Sequence, residues 1–318
     1  MKSIIGLLAS VIMFSGTLHD VVAQTFPTQP IRLTVPAAPG GPLDIVARAI
    51  SERLSPRLGQ PVIIENRAGA GGNIGANYVS KTPPDGYNLL LTLGNTLTVN
   101  PSLYSGLQFD LKPISIMTSA TQLLVVHPST PVQTLDEFVV WARKNEPIAY
   151  GHSGNGSPAH LVMEYFRLKA GFKTTPVPYG GSAPLVNDLL TGQFKVAFGA
   201  TVGLAPHVAA GTLKALAISS ESRSSILPAV PTVAESGFPG FRLENDFILL
   251  AQGQTPDSII AVLERAVRIE LNNPDIKAAF VKQDIRVVAS TSEEARKRIE
   301  SDKTLWVDVI RETGMRIN

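Results

Sequence analysis

Ile31-Arg32-Leu33-Thr34-Val35, followed by Pro36-Ala37-Ala38-Pro39-Gly40-Gly41 and then by Pro42-Leu43-Asp44-Ile45 running on to Leu58, is the stretch from which the fold is read. The first five residues are rich in β-branched and leucine side chains, as a buried strand requires. The next six cannot extend it, because two prolines and two glycines interrupt any ladder. From Leu43 onward Ile45, Ala49, Ile50 and Leu54 recur at helical spacing. Strand, small-residue loop and helix form the first unit, and repetition of that unit predicts an α/β architecture.

The rhythm does recur. Residues 62–64 predict a second strand, 66–75 a glycine-rich turn, and 87–93 a third strand ending before Asn95-Thr96. Parallel strands in this order bring their loops to one sheet edge. After Leu111-Lys112-Pro113 the run 123–126 opens a second set. It continues as a helix over 135–144, a strand over 148–150, a helix over 159–170, a strand over 175–177, a helix over 184–191, a strand over 195–198, a short helix over 204–210 and a strand over 213–218. Residues 219–240 are rich in Ser, Pro and Gly and lack periodicity. A last strand is expected over 247–251, then helices over 256–272, 274–282 and 292–313, the last opened by the capping sequence Thr291-Ser292-Glu293-Glu294. No short fixed period repeats, which excludes solenoids and propellers.

Composition narrows the function. A length of 318 residues suggests two domains at about 100–200 residues each. Charged residues are only 17%, while there are 26 Gly and 24 Pro. Net charge is +2 without a long run of like charges, so the footprint of a nucleic-acid binder is missing. With no cysteine the chain has no disulfide, thiolate metal site or cysteine nucleophile. Met1-Lys2, the apolar run 4–14 and Val21-Val22-Ala23 predict a signal peptide cut after Ala23. The run is shorter than the ~20 residues of a membrane span and contains Gly6 and Ser10.

Three loops can carry chemistry. Val35 to Asp44 sets small residues before a helix, whose first amides carry a partial positive charge and suit an anion. The loop lacks Gly-Lys-Ser/Thr and is not a P-loop, and Gly69-Ala70-Gly71-Gly72-Asn73-Ile74-Gly75 misses the dinucleotide fingerprint at Ile74, so it reads as a structural turn. Tyr150-Gly151-His152-Ser153-Gly154-Asn155-Gly156-Ser157-Pro158-Ala159-His160 offers a second set of amides and hydroxyls. It departs from the nucleophile elbow only at Asn155, so an exported serine hydrolase with Ser153 as nucleophile is the rival reading. That fold needs its histidine late in the chain, whereas the last histidine is His207. His127, His152, His160 and His207 lack zinc-site spacing, so no metal or cofactor is expected. The third loop, Val177-Pro178-Tyr179-Gly180-Gly181-Ser182-Ala183-Pro184, sets an aromatic beside glycines and a hydroxyl before a helix.

At these loops, and at Pro30-Ile31-Arg32, Glu65-Asn66-Arg67-Ala68-Gly69, Pro83-Pro84-Asp85-Gly86-Tyr87 and Leu227-Pro228-Ala229-Val230-Pro231-Thr232, the chain resembles the Bug family of periplasmic solute-binding receptors, the substrate-binding proteins of tripartite tricarboxylate transporters. The resemblance covers essentially the whole chain after the signal peptide. It implies a two-lobed Venus-flytrap fold of type II with two crossover segments: residues 24–120 and 245–318 as one lobe and 121–244 as the other, hinged near 120–123 and 243–247.

It further implies a monomeric, non-enzymatic periplasmic receptor that holds a small mono- or dicarboxylate, aliphatic or aromatic, partly through bridging waters. The partner would be a tripartite tricarboxylate-type membrane permease or a sensor. The carried-over ligand residues are Ala37, Ala38, Pro39, Gly41 and Asp44 on the first loop, with Asn95 and Thr96. Opposite stand His152, Ser153, Gly154 and Asn155, and on the third loop Tyr179, Gly180 and Ser182. Two departures mark the distal pocket: Gly199 where relatives often carry an acid, expected to enlarge the pocket, and Asp246 where they carry an aromatic, expected to offer an acceptor.

Overall fold

The computed structural model describes residues 26–104 and 106–315, so the expected signal peptide lies outside the described residues. The first half runs β1 (Ile31–Val35), α1 (Pro42–Leu58), β2 (Val62–Asn66), α2 (Asn73–Val79), β3 (Asn88–Leu93), α3 (Asn95–Thr98), α4 (Asn100–Leu103) and β4 (Leu111–Ala120). Next come β5 (Gln122–Val126), α5 (Leu135–Lys144), β6 (Ile148–His152), α6 (Pro158–Ala170), β7 (Thr174–Pro178), α7 (Ser182–Leu190), β8 (Val196–Ala200), α8 (Thr201–Ala209) and β9 (Lys214–Ile218). The chain closes with β10 (Asn245–Gln252), α9 (Asp257–Leu271), α10 (Pro274–Val281), β11 (Ile285–Val287) and α11 (Ser292–Thr313).

Two mixed sheets result. A six-stranded sheet has the order β11-β4-β10-β3-β1-β2, and a five-stranded one the order β7-β6-β8-β5-β9. β1 lies parallel to β2 and β3, with Ile31, Leu33 and Val35 buried. Helices cover both faces, which accounts for the near-continuous apolar strands. β10 then inserts antiparallel between β3 and β4. In the five-stranded half Phe166 meets Phe172, Phe198, Phe238 and Phe241 edge-on, at centroid distances of 5.7, 6.0, 5.4 and 6.1 Å. Such contacts add about 0.5–1.5 kcal/mol each beyond area burial.

β4, β11, α2, α3 and α4 correct the sequence-based element list, which has none of them. β4 is the longest strand, with ten residues, yet Pro113 interrupts its pattern. The ladder tolerates that proline because the β10 register shifts between Leu249 and Leu250, next to the Leu250–Pro113 pair.

The chain passes between sheets twice, side by side. Thr121 alone separates β4 from β5, and β10 starts at Asn245, which pairs with Ala120. Ser219 ties the crossings together: its hydroxyl donates to the Leu243 carbonyl at 2.6 Å and accepts from the Gln122 amide at 3.1 Å. Asp284, just before β11, accepts from Thr121 Oγ1 at 2.6 Å and Ser224 Oγ at 2.7 Å. α11 spans both halves. Its Ala295 and Ile299 pack with Leu90, Ile116 and Ile248 of the six-stranded sheet, while Trp306 and Val309 join the core of the other.

Candidate functional site

The loops after β1, β2, β6 and β8 border a cavity of about 550 Å³ between the two sheets. The first wall begins at α1. Gly41 is its N-cap without a side-chain cap, and Pro42 at N1 has no N–H, so the next amides of the first turn remain free to meet a ligand. Ala37, Gly41, Pro42 and Leu43 line the cavity.

Three first-loop residues expected at the ligand stand outside the cavity lining. Ala38 and Pro39 are exposed, and the Ala38 carbonyl accepts from the Gly41 amide at 3.4 Å. Asp44 is 1% exposed and bends back into the loop. Its carboxylate accepts from Gly40 N at 2.9 Å, Arg48 Nε at 2.7 Å and Asn66 Nδ2 at 2.9 Å. The Arg48 guanidinium holds that carboxyl down to about 2 against the opposing effect of burial. Asn66 Nδ2 also reaches the Ala37 carbonyl at 3.0 Å, so Asp44 and Asn66 shape the loop from behind.

The second wall is the loop from β6 to α6, where Ser153, Gly154, Asn155, Gly156, Ser157, Pro158 and Ala159 line the cavity. His152 does not, which is a further correction: it is buried beneath the loop, with Nδ1 2.8 Å from the Gly154 carbonyl. His160 stacks on it at 4.2 Å and accepts the Gly156 N–H on Nδ1 at 3.0 Å. Burial, and then the neighbouring His152, push His160 down to about 4. Burial holds both rings neutral, and the Nδ1 of each is engaged with loop backbone rather than with a hydroxyl. Across the cleft, Asn95 Nδ2 donates to the Gly156 carbonyl at 3.3 Å, and Asn95 and Thr96 both line the cavity.

On the third loop only Ser182 faces the cavity, together with Leu185 and Val186 of α7. Tyr179 and Gly180 lie elsewhere. The Tyr179 ring packs on Phe194 at 5.7 Å and its hydroxyl donates to Asp188 at 2.8 Å; burial, aided by Asp188, pushes the phenol up to about 12.

Asp246 is also corrected. Strand alternation turns Asn245 and Phe247 toward the large cavity and Asp246 away from it. Asp246 accepts from Ser119 Oγ and pairs with Arg298 Nη2 at 3.3 Å beside a separate cavity of about 40 Å³. Burial pushes it up to about 7. Gly199 does line the cavity, but it opens less room than expected: a Cβ there would stand 2.8 Å from Leu204 Cδ1, so Leu204 fills that place.

The sequence profile of the tripartite tricarboxylate transporter family receptor matches residues 46–315. The chain belongs to that family. Protein BugT of Bordetella pertussis is 36% identical over 324 residues, covering 100% of this chain and 99% of BugT. The structure of periplasmic binding protein BugD matches with a TM-score of 0.74 at 28% identity, over 92% of this chain and 99% of BugD. R. palustris Rpa4515, solved with adipate, matches with a TM-score of 0.77 at 31% identity, over 92% of this chain and 99% of that one. Two sheets flanking a cleft and joined by paired crossings give this family receptor the α/β Venus-flytrap plan.

In this family receptor the glycine loop after β2, read from sequence as a plain turn, is part of the wall. Gly69, Gly71 and Gly72 line the cavity at φ 133°, 63° and 95°. Asn100 Nδ2 holds the Gly71 carbonyl at 3.0 Å, and a Cβ at Gly72 would come within 2.8 Å of Thr96 Oγ1. The signal was available: like the first loop, this one stands between a strand and a helix and is dense in glycine. Gln122, Phe198, Val202, Leu204, Phe247 and Gln283 are among the further lining residues that sequence reasoning missed. Among the described residues, no Asp, Glu, Lys, Arg or His side chain lines this cavity.

Proposed function

We propose that this chain is a periplasmic receptor that captures a small organic carboxylate between its lobes and presents it, as a monomer, to a tripartite tricarboxylate-type permease or a sensor. One observation carries the reading: both sides of the cavity offer backbone amides at helix starts, and its lining has no charged side chain. An anion gains about 0.3–1 kcal/mol from a helix start, up to ~2 when partly buried, plus charge-assisted hydrogen bonds. Bridging waters add contacts at little cost. Ala37, Gly41, Asn95, Thr96, Ser153, Gly154, Asn155 and Ser182 are the expected ligand contacts, joined by Gly71 and Gly72.

The proposed moving lobes are residues 24–120 with 245–318, and 121–244, bridged by α11, whose Trp306 and Val309 pack in the second core. A ligand touching both favours the closed arrangement and shifts the population toward it. Relatives that are receptors support a binding role over the Ser153 hydrolase.

Thermal-shift screening of carboxylates against their neutral amides tests the proposal. Saturation at about 100 times Kd stabilises the folded state by about 2.7 kcal/mol, so a true ligand raises the midpoint and its amide does not. Turnover of an activated ester, lost in Ser153→Ala, would instead overturn the receptor reading.

A further inference from the structure

The smaller cavity of about 40 Å³ lies behind the ligand cavity and shares Leu93, Asn95, Pro158 and Asn245 with it. Asn95 is the residue that donates across the cleft to Gly156, so movement at that contact reaches both spaces. The smaller cavity takes its wall from both halves. Thr98 and Asp246 come from the six-stranded side, Pro158 and Leu161 from α6 on the other, and residues 242–245 from the second crossing. α11 covers it at mid-helix, where Arg298, Asp302 and Leu305 lie between Ile299, packed in one core, and Trp306, packed in the other.

Charged groups crowd this wall. Arg298 pairs with Asp246 at 3.3 Å and with Asp302 at 2.9 Å. Arg242 stands 3.8 Å from Glu244 and 3.9 Å from Asp302, and Arg286 of β11 holds Glu244 at 2.7 Å. Ser119 of β4 donates its hydroxyl to Asp246, while β3, α3 and α6 bring no ionisable side chain to the lining.

Resting on the lobe motion proposed above, we infer that this cluster is a proton-linked latch: a proton taken up on Asp246 or Asp302 favours the closed cleft, so capture strengthens as the surroundings acidify. Parting the halves draws Pro158 and Leu161 away from Asn95 and Thr98 and admits water to a cavity already larger than the ~10–15 Å³ one water needs. Water favours the charged carboxylates over the protonated ones. In the closed arrangement burial pushes Asp246 up to about 7 and Asp302 up to about 6, whereas a solvated aspartate lies near ~4. The closed form therefore holds more protons than the open form between about pH 4 and pH 7, and its share falls as pH rises through that window. Full solvation of Asp246 on opening would change the closed-to-open ratio roughly 30-fold between pH 8 and pH 5.5, and partial opening by less.

Distances between nitroxide labels at Ala38→Cys and Ala183→Cys, measured by double electron–electron resonance, test the latch without any ligand. The chain has no native cysteine, and both positions are exposed, one in the loop before α1 and one in the first turn of α7. The labelled protein is unfolded and refolded to release bound solute, then measured at pH 8 and pH 5.5. The ratio of short to long distances is expected to rise by about threefold or more at pH 5.5. Asp246→Asn, which imitates the protonated acid at nearly the same shape, is expected to favour the short distance at both pH values and to remove at least about half of the pH effect. Asp302→Asn is expected to act in the same direction, and it carries the test if the first variant fails to fold. Two populations whose ratio ignores pH, or an undiminished pH effect in both variants, overturn the latch and leave the receptor reading standing. A single distance at both pH values removes the lobe motion and the latch together.

Discussion

His152 and His160 bear on ligand capture without facing the ligand. Their stacked rings fix the Gly154 to Gly156 backbone, so His160→Ala removes one hydrogen bond to the loop. A typical net value of about 0.5–1.5 kcal/mol corresponds to roughly a two- to tenfold loss of ligand affinity by calorimetry. Because His160 is held down to about 4, the folded state binds fewer protons than the unfolded one between that value and about 6.5. Its contribution to stability is therefore lost as pH falls through that window. Asp246 has the opposite sign. Burial raises it to about 7, and it faces Ser119, Glu244, Asp302, Arg242 and Arg298. The folded state then holds the extra proton above about 4, and stability falls as pH rises toward 7. Asp246→Asn, which leaves Arg298 paired with Asp302 at 2.9 Å, should show a smaller drop in Tm between pH 5 and pH 8 than the unmodified protein.

Among the elements, the longer helices were readable in sequence from their apolar spacing, and two of them also carry clear end signals. α1 has Pro42 at its start and Gly59 in the left-handed conformation at its end, and α11 has the full Thr291/Glu294 capping box. β4 escaped notice because Pro113, Ser115, Thr118 and Ser119 break its apolar pattern, although pairing with β10 and β11 buries it. β11, with three residues, is too short to show a period. The site followed the same division. The loops after β1 and β6 could be read, whereas the directions of Asp44, His152, Tyr179 and Asp246 depend on distant partners such as Asn66, Asp188, Ser119 and Arg298. α11 offers the clearest element-level test. Trp306 is 5% exposed and lies 6.4 Å from the Tyr165 ring, so Trp306→Ala should cost about 3–5 kcal/mol, read as a lower urea midpoint.

The molecule as a whole consists of two α/β halves joined by adjacent crossings, with Asp284 bonded across the join to Thr121 and Ser224 and Ser219 holding the two crossings side by side. Ligand-driven closure should appear as a smaller radius of gyration in solution scattering once a confirmed ligand is added; an unchanged value would count against closure. α11 makes that change small, because one helix is anchored in both cores. Wide parting of the jaws would require α11 to bend or to draw one end out of its core, so the packing that stabilises the fold would also set the limit of opening.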